Sequence, residues 1–317
     1  MDCSVKNEYT IVVPNQEILS LVCGTNDKNL ALIEKHLGVP VYTTGNELSI
    51  DTDEISVQED FKFIIDRIVD EISDGEKNSQ DIITSVLNTE KHANIEECSI
   101  LVPGALRKIY PHTQNQADYV QLLRTKDMVF CTGSAGSGKT FLAVAEALRL
   151  ILSHKVNRLI ITRPVVEAGE SLGFLPGDLE QKISPYLQPF YDSMESIIPR
   201  ETVKRLIESE IIQVAPLAYM RGRTLNNSVI ILDEAQNTTN EQMKMFLTRM
   251  GEGAKVFITG DVTQIDLPKK IPSGLIQAVR ILSSINEIGI MELTSEDVVR
   301  HPLVKKIVKA YERESNE

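Results

Sequence analysis

The apolar positions of this chain keep changing period, and the changes divide it. EYTIVV (8–13) is a short β-rich run and predicts a strand. EILSLVCG and NLALIEKHLG predict two short helices, parted by Gly24-Thr25-Asn26-Asp27. VPVYTT and ELSID flank Gly45-Asn46, a hairpin signal. In VQEDFKFIIDRIVDEIS, Phe61, Ile64, Ile65, Ile68, Val69 and Ile72 recur at helical spacing and make one apolar face. DGEKNSQD (74–81) then opens a polar stretch that runs to about residue 100 and reads as a linker.

Beyond it the pattern is different. MVFCT (128–132), RLIIT (158–162), IIQVA (211–215), VIILDEA (229–235) and KVFITG (255–260) are compact apolar runs that predict buried strands. KTFLAVAEALRLILSH is a helix with Phe141, Val144, Ala145, Leu148, Ile151 and Leu152 on one side. NEQMKMFLTRM and SGLIQAVRILSSI are further helices, and IGIMEL (288–293) and LVKKIVKAYERE close the chain. Strands alternating with helices predict an α/β domain with a mostly parallel sheet covered on both faces. The expected division is a small acidic α+β domain at 1–75, a linker at 76–100 and the α/β domain at 101–317.

Charge follows the same division. The net charge is −12, yet residues 1–100 hold 7 Lys+Arg against 20 Asp+Glu, and the remainder 26 against 25. Electrostatics therefore place any nucleic-acid contact on the last two thirds. Strand, helix, helix, strand, strand, helix resembles a KH-type RNA-binding module, whose GxxG loop clamps backbone phosphates. Here that loop is GTND, with Asp27 in the second glycine position, so the alternative is a degenerate module used for protein contacts. With no Trp, the chain offers little for stacking bases. Its four cysteines form no CxxC, which points to a reducing compartment. No basic head with an apolar stretch opens the chain, and no run of about 18 apolar residues occurs, so the expected setting is cytoplasmic with no membrane contact.

The chemistry begins at GSAGSGKT (133–140), which fits G-x-x-x-x-G-K-[ST]. Gly133, Ser134, Ala135, Gly136, Ser137 and Gly138 form a loop whose N–H groups can surround phosphate oxygens, with a helix N-terminus behind. Lys139 reaches the β- and γ-phosphates, and Thr140 can put its hydroxyl on Mg²⁺. In LDEAQN (232–237), Asp233 ends a buried strand and suits the Mg²⁺ shell, while Glu234 suits the general base for attacking water. The bland alternative is that these acids cap the next helix. Gln236 and Asn237 are expected to sense the γ-phosphate. ITGDVTQIDLP (258–268) resembles the GDxxQ element of superfamily 1 helicases, in which Gln264 would contact the γ-phosphate or its water. RLIIT, between loop and LDEA in the chain, suggests a strand inserted between the two nucleotide-binding strands. Upstream, Gln116 and Tyr119 precede the loop strand; Gln116 can read the adenine edge, or simply belong to a polar helix start.

Longer runs carry a family resemblance. ITRPVVEAGESLGFLPGDLEQKISPYLQPFYDSM (161–194), APLAYMRGRTLNNSVIILDEAQNTT (215–239), QMKMFLTRMG (242–251), TGDVTQIDLP (259–268) and DVVRHPLV (297–304) together resemble the PhoH family of phosphate-starvation-inducible-type ATPases, over about residues 101–312. The resemblance implies a cytoplasmic ATP-binding protein with a single RecA-like P-loop core, tied to RNA metabolism. The family's loop is usually GPAGTGKT; Ser134 and Ser137 depart from it while the glycines, Lys139 and Thr140 stay. In EAGESLGFLPGDLEQK (167–182), Gly169, Gly173 and Gly177 with Pro176 make a turn-rich loop that either touches nucleic acid or forms a lid, with Arg163 a candidate phosphate contact and Glu170 its orienter.

A superfamily 1 helicase closes its site with a second core that supplies an arginine. With one core, the arginine must come from the tail or a neighbour. Arg300 is the first candidate, with Arg221, Arg223 and Arg249 as rivals, and a ring-like homo-oligomer such as a hexamer follows. The sequence thus supports a Mg²⁺-dependent ATPase acting on RNA, or else a nucleotide-dependent switch that docks a partner such as a ribonuclease through the acidic first domain.

Overall fold

The computed structural model describes residues 8–73, 79–88, 98–105, 108–164, 179–268 and 270–298; for 179–187 it describes the helix alone. The 167–178 part of the glycine-rich loop, with Glu170, and Arg300 and the closing LVKKIVKAYERE stretch lie outside these residues. Two compact units are present: Met1–Ser99 with Arg107–Ala117, and Ile100–Leu106 with Asp118–Glu317.

In the first unit, β1 (Glu8–Val12), α1 (Gln16–Cys23), α2 (Lys28–Leu37), β2 (Val41–Thr44), β3 (Glu47–Asp51) and α3 (Ile55–Ser73) follow the predicted order. The sheet is antiparallel with order β1-β3-β2, and β2 and β3 pair Thr44 with Glu47 across the Gly45-Asn46 turn. The helical stripe buries as expected: Phe61, Ile64, Ile65, Ile68 and Ile72 pack with Leu48 and Ile50 of β3, and Tyr9 meets Phe61 edge-on at 6.4 Å. Asn15 caps α1 by accepting from Ile18 N. The GTND turn carries Asn26 and Asp27 in the left-handed region. Beneath it the buried Asn29 donates to Leu21 O and Ser79 Oγ, both at 3.0 Å.

The polar stretch expected to be a linker is different. Ser79–Asn88 is a helix, α4, whose Ile82, Ile83 and Val86 are buried in the first unit's core. Ten residues with a few apolar positions give too short a pattern to stand out between polar flanks; packing against α2 and α3 supplies what propensity does not. The unit is then completed by residues beyond position 100. Lys108 Nζ and Tyr110 OH each reach the buried Glu71 Oε2 at 2.8 Å, and Asn88 Nδ2 donates to His112 O.

The second unit is the predicted α/β layer structure. After α5 (Gln114–Thr125) come β4 (Met128–Gly133), α6 (Lys139–Leu152), β5 (Arg158–Arg163), α7 (Leu179–Ile197), α8 (Arg200–Glu208), β6 (Ile212–Pro216), β7 (Ser228–Leu232), α9 (Asn240–Leu247), β8 (Lys255–Gly260), α10 (Gly274–Leu282) and β9 (Ile288–Leu293). The five predicted strands are present and IGIMEL adds a sixth, every pairing is parallel, and the order is β6-β5-β7-β8-β4-β9. β7 is buried along its whole length, which is why its sequence is a continuous apolar run.

One strand is inserted between the glycine-loop strand β4 and the LDEA strand β7, giving the RecA-like P-loop arrangement, but it is β8. RLIIT (β5) lies on the far side of β7. Order along the chain does not report order across a sheet, because each parallel crossover can land on either side. β7 also stops at Leu232, and Ala235–Asn237 form a 3₁₀ turn, so the acids stand just past the strand. Among the described residues, no helix is long and apolar enough to cross a membrane.

Candidate functional site

The carboxyl ends of β4, β5, β7 and β8 deliver Gly133, Arg163, Asp233 and Asp261 to one edge of the parallel sheet, the edge where open α/β sheets hold ligands. The loop from β4 to α6 needs its glycines: Gly136 and Gly138 have φ of 87° and 86°, a region costly for residues with a Cβ. Gly133 is required for space, since a Cβ there would stand 2.6 Å from Leu293 O. Ser134 O accepts from Ser137 N, Ser137 Oγ and Lys139 Nζ at 3.3, 2.9 and 3.2 Å, which draws the loop into a tight curl with the ammonium across it. Tyr119, fully buried, donates to Lys139 O at 3.3 Å under the first turn of α6.

Asp233 is the meeting point. Its Oδ1 accepts from Thr140 Oγ1 at 2.8 Å and from Thr259 Oγ1 at 2.6 Å; its Oδ2 accepts from Arg163 Nη2 at 2.7 Å. The same Nη2 reaches Glu234 Oε1 at 3.3 Å, while the guanidinium lies 5.4 Å from the Phe190 ring centre. Thr259 opens the TGDVTQIDLP run, but the sequence assigned it no role. It sits beside Asp233 because β8, and not β5, occupies the gap between β4 and β7. Arg163 was expected at a phosphate; the structure adds that it joins both acids.

Glu234 is left-handed (φ 52°) and 40% exposed, turned back from the strand direction toward the open edge. Behind it lies a buried amide. Gln236 Nε2 donates to Glu234 Oε2 at 2.6 Å and to Gln264 O at 3.0 Å, and its Oε1 accepts from Asp261 N at 2.9 Å. Asn237 in turn pairs with Asp266, accepting from its N–H at 2.8 Å. Both amides, read from sequence as phosphate sensors, are thus turned into the protein, where buried polar groups must find partners. Gln264 is exposed, and its Nε2 donates to Asp261 Oδ2 at 2.7 Å. Burial pushes the Asp261 carboxyl upward, but hydrogen bonds from Thr263 and Gln264 and the charge of Lys139 outweigh it, so its pKa lies below the ordinary range.

Gln116 is buried, and its Oε1 accepts from His112 N at 2.7 Å. That carbonyl closes the turn before α5. Two of the rival arginines are engaged elsewhere: Arg223 binds Gln213 Oε1, and Arg249 the Arg223 carbonyl.

Gly260, at the end of β8, faces this network. A Cβ there would lie 2.5 Å from Leu275 Cδ2 and 2.9 Å from Gln236 Oε1. Gly260→Ala is expected to cost about 1–3 kcal/mol of stability by overpacking. The urea midpoint would measure it, and an unchanged midpoint would contradict so close a fit.

The model of the family described as PhoH-like protein matches residues 108–312. A PhoH-like protein of Bacillus subtilis is 45% identical over 309 residues, covering 94% of this chain and 95% of its own length. One of Mycobacterium bovis is 45% identical over 313 residues, covering 96% and 87%. The Protein PhoH of Escherichia coli is 43% identical over 205 residues, covering 64% of this chain and 58% of its own. Among solved structures, the Pyrococcus furiosus Hef helicase domain is 13% identical, with TM-score 0.36 over 57% of this chain and 38% of that one.

Proposed function

The chain belongs to the PhoH-like protein family, and on that premise we propose that it is a Mg²⁺-dependent ATP hydrolase whose turnover is coupled to RNA. The observation that carries the reading is the convergence of Thr140, Thr259 and Arg163 on Asp233 beside the glycine loop. In this reading the N–H groups of 133–140 and the Lys139 ammonium hold the phosphates. Thr140 Oγ1 and Asp233 Oδ1, a hydroxyl and a carboxylate 2.8 Å apart, are the hard oxygen donors that Mg²⁺ takes alongside substrate phosphates. The ion, when bound, would offset phosphate charge.

Glu234 is the base that accepts the proton of the attacking water. Its left-handed backbone and exposed carboxylate direct it to the edge, and Gln236 fixes its far oxygen. Gln264, one contact from Asp261 and one backbone bond from Gln236, registers the terminal phosphate in this reading and passes its state to both. An arginine from a neighbouring copy in a ring, Arg300 foremost, remains part of the proposal.

The test is ATP turnover with and without single-stranded RNA, at low and then high salt. Stimulation that fades with salt is the expected result. Turnover indifferent to RNA at every salt would remove the RNA coupling and favour the nucleotide-dependent docking of a partner such as a ribonuclease.

A further inference from the structure

The opposite edge of the same sheet also gathers charge. Where β5 and β7 begin, the second unit holds a cavity of about 240 Å³. Arg158 opens β5, Ser228 opens β7, and the two are register partners. Alternate residues of a strand share a face, so Arg158, Ile160 and Ser228 line one wall. The 223–226 segment makes the other. Arg223 is held there: its Nη2 donates to Oε1 of Gln213, the register partner of Ile160 on β6, at 2.9 Å. Arg249 Nη1 donates to the Arg223 carbonyl at 3.1 Å, which adds a third guanidinium beside the wall.

Two observations point to a ligand. Among the described residues, Arg158, Arg223 and Arg249 form no ion pair with any acid. Glu252 meets this segment through its backbone: its N–H donates to Asn226 Oδ1 and its carbonyl accepts from Asn227 N. Ser228, moreover, is 1% exposed and its hydroxyl has no hydrogen-bond partner among the described residues. A buried hydroxyl left without a partner is destabilising, and a ligand oxygen would supply one. Guanidinium forks match phosphate oxygens in geometry and charge.

We propose that this cavity is a phosphate-binding site separate from the glycine loop. Arg158 and Arg223 donate to the phosphate oxygens from the rim and the Ser228 hydroxyl donates from the floor. The phosphate is either free or carried on a nucleic-acid backbone. Because the two sites lie at opposite ends of the strands, both can be filled at once, and the inference does not rest on the hydrolytic reading.

The experiment uses the full chain with saturating ADP and Mg²⁺, so that the glycine loop is occupied. One arm follows thermal stabilisation by inorganic phosphate against chloride at matched ionic strength. The other follows binding of a labelled single-stranded RNA across a salt series. Arg158→Ala, Arg223→Ala and Ser228→Ala are compared with the parent. Each arginine variant is expected to weaken the responding arm about tenfold, the strength of a charge-assisted hydrogen bond. If the RNA arm responds, its salt slope falls by about 1 for each arginine lost, identifying a backbone phosphate. If only the inorganic phosphate arm responds, the ligand is a small free phosphate. Ser228→Ala removes only an unpartnered hydroxyl, so it should melt no lower than the parent in chloride, turn over ATP normally without RNA and still bind phosphate more weakly. Should all three variants match the parent in both arms, the site does not exist.

Discussion

Glu234→Gln should leave ATP bound and slow its hydrolysis by about 10²–10⁴-fold, the range for losing a general base. The substitution is nearly isosteric. Gln236 Nε2, which lies 2.6 Å from Glu234 Oε2, can still donate to the new amide's oxygen, and the left-handed turn is local to the backbone. What disappears is the ability to accept a proton. The Arg163 contact at 3.3 Å is longer than that arginine's 2.7 Å contact with Asp233 and carries little of the site's stability. Single-turnover hydrolysis alongside equilibrium nucleotide binding separates the two effects. Normal turnover in Glu234→Gln would take the base role away from Glu234, while loss of binding would mean that the carboxylate holds the loop together.

Arg163→Ala should be felt in stability and in rate. Asp233 has only 4% of its side chain exposed and Arg163 20%, so removing the guanidinium leaves a nearly buried carboxylate without its cation. A fully buried pair broken this way costs about 3–5 kcal/mol; with Arg163 partly in water and two hydroxyls still on Oδ1, about 2 kcal/mol is expected. For a unit of this size that is roughly 4–8 °C in Tm. ADP with Mg²⁺ should narrow the gap by supplying a cation near Asp233. If Arg163 also serves the transferring phosphate from within its own chain, turnover falls by about 10³-fold or more, at every protein concentration. A variant with the parent's Tm would refute the structural role. A parent's rate combined with a lowered Tm would leave the transferring phosphate to an arginine from a neighbour.

The sequence carried the strands, the glycine loop and both acids, because each depends on local pattern: apolar runs for buried strands, glycines for left-handed backbone, carboxylates at a strand end. It did not carry Thr259, whose place beside Asp233 depends on which strand fills the gap next to β4, a matter of crossover and not of composition. Gln236 and Asn237 misled for a related reason. An amide beside paired acids has the right chemistry for a sensor, but its orientation is decided by backbone N–H groups of another segment, Asp261 N and Asp266 N. Helix α4 was hidden by polar neighbours, and its tie to Asn29, fifty residues earlier, leaves no local trace.

That first unit borrows its final stitches from later in the chain. Glu71 is buried and takes up Lys108 and Tyr110, so a fragment ending near residue 100 would strand a carboxylate in its core. During synthesis, the unit cannot close until the stretch through residue 117 has left the ribosome, and by then the next unit's first strand is following close behind. The two are therefore not beads that one cut could separate, and an evolutionary swap of the first for another module would have to carry this returning stretch with it.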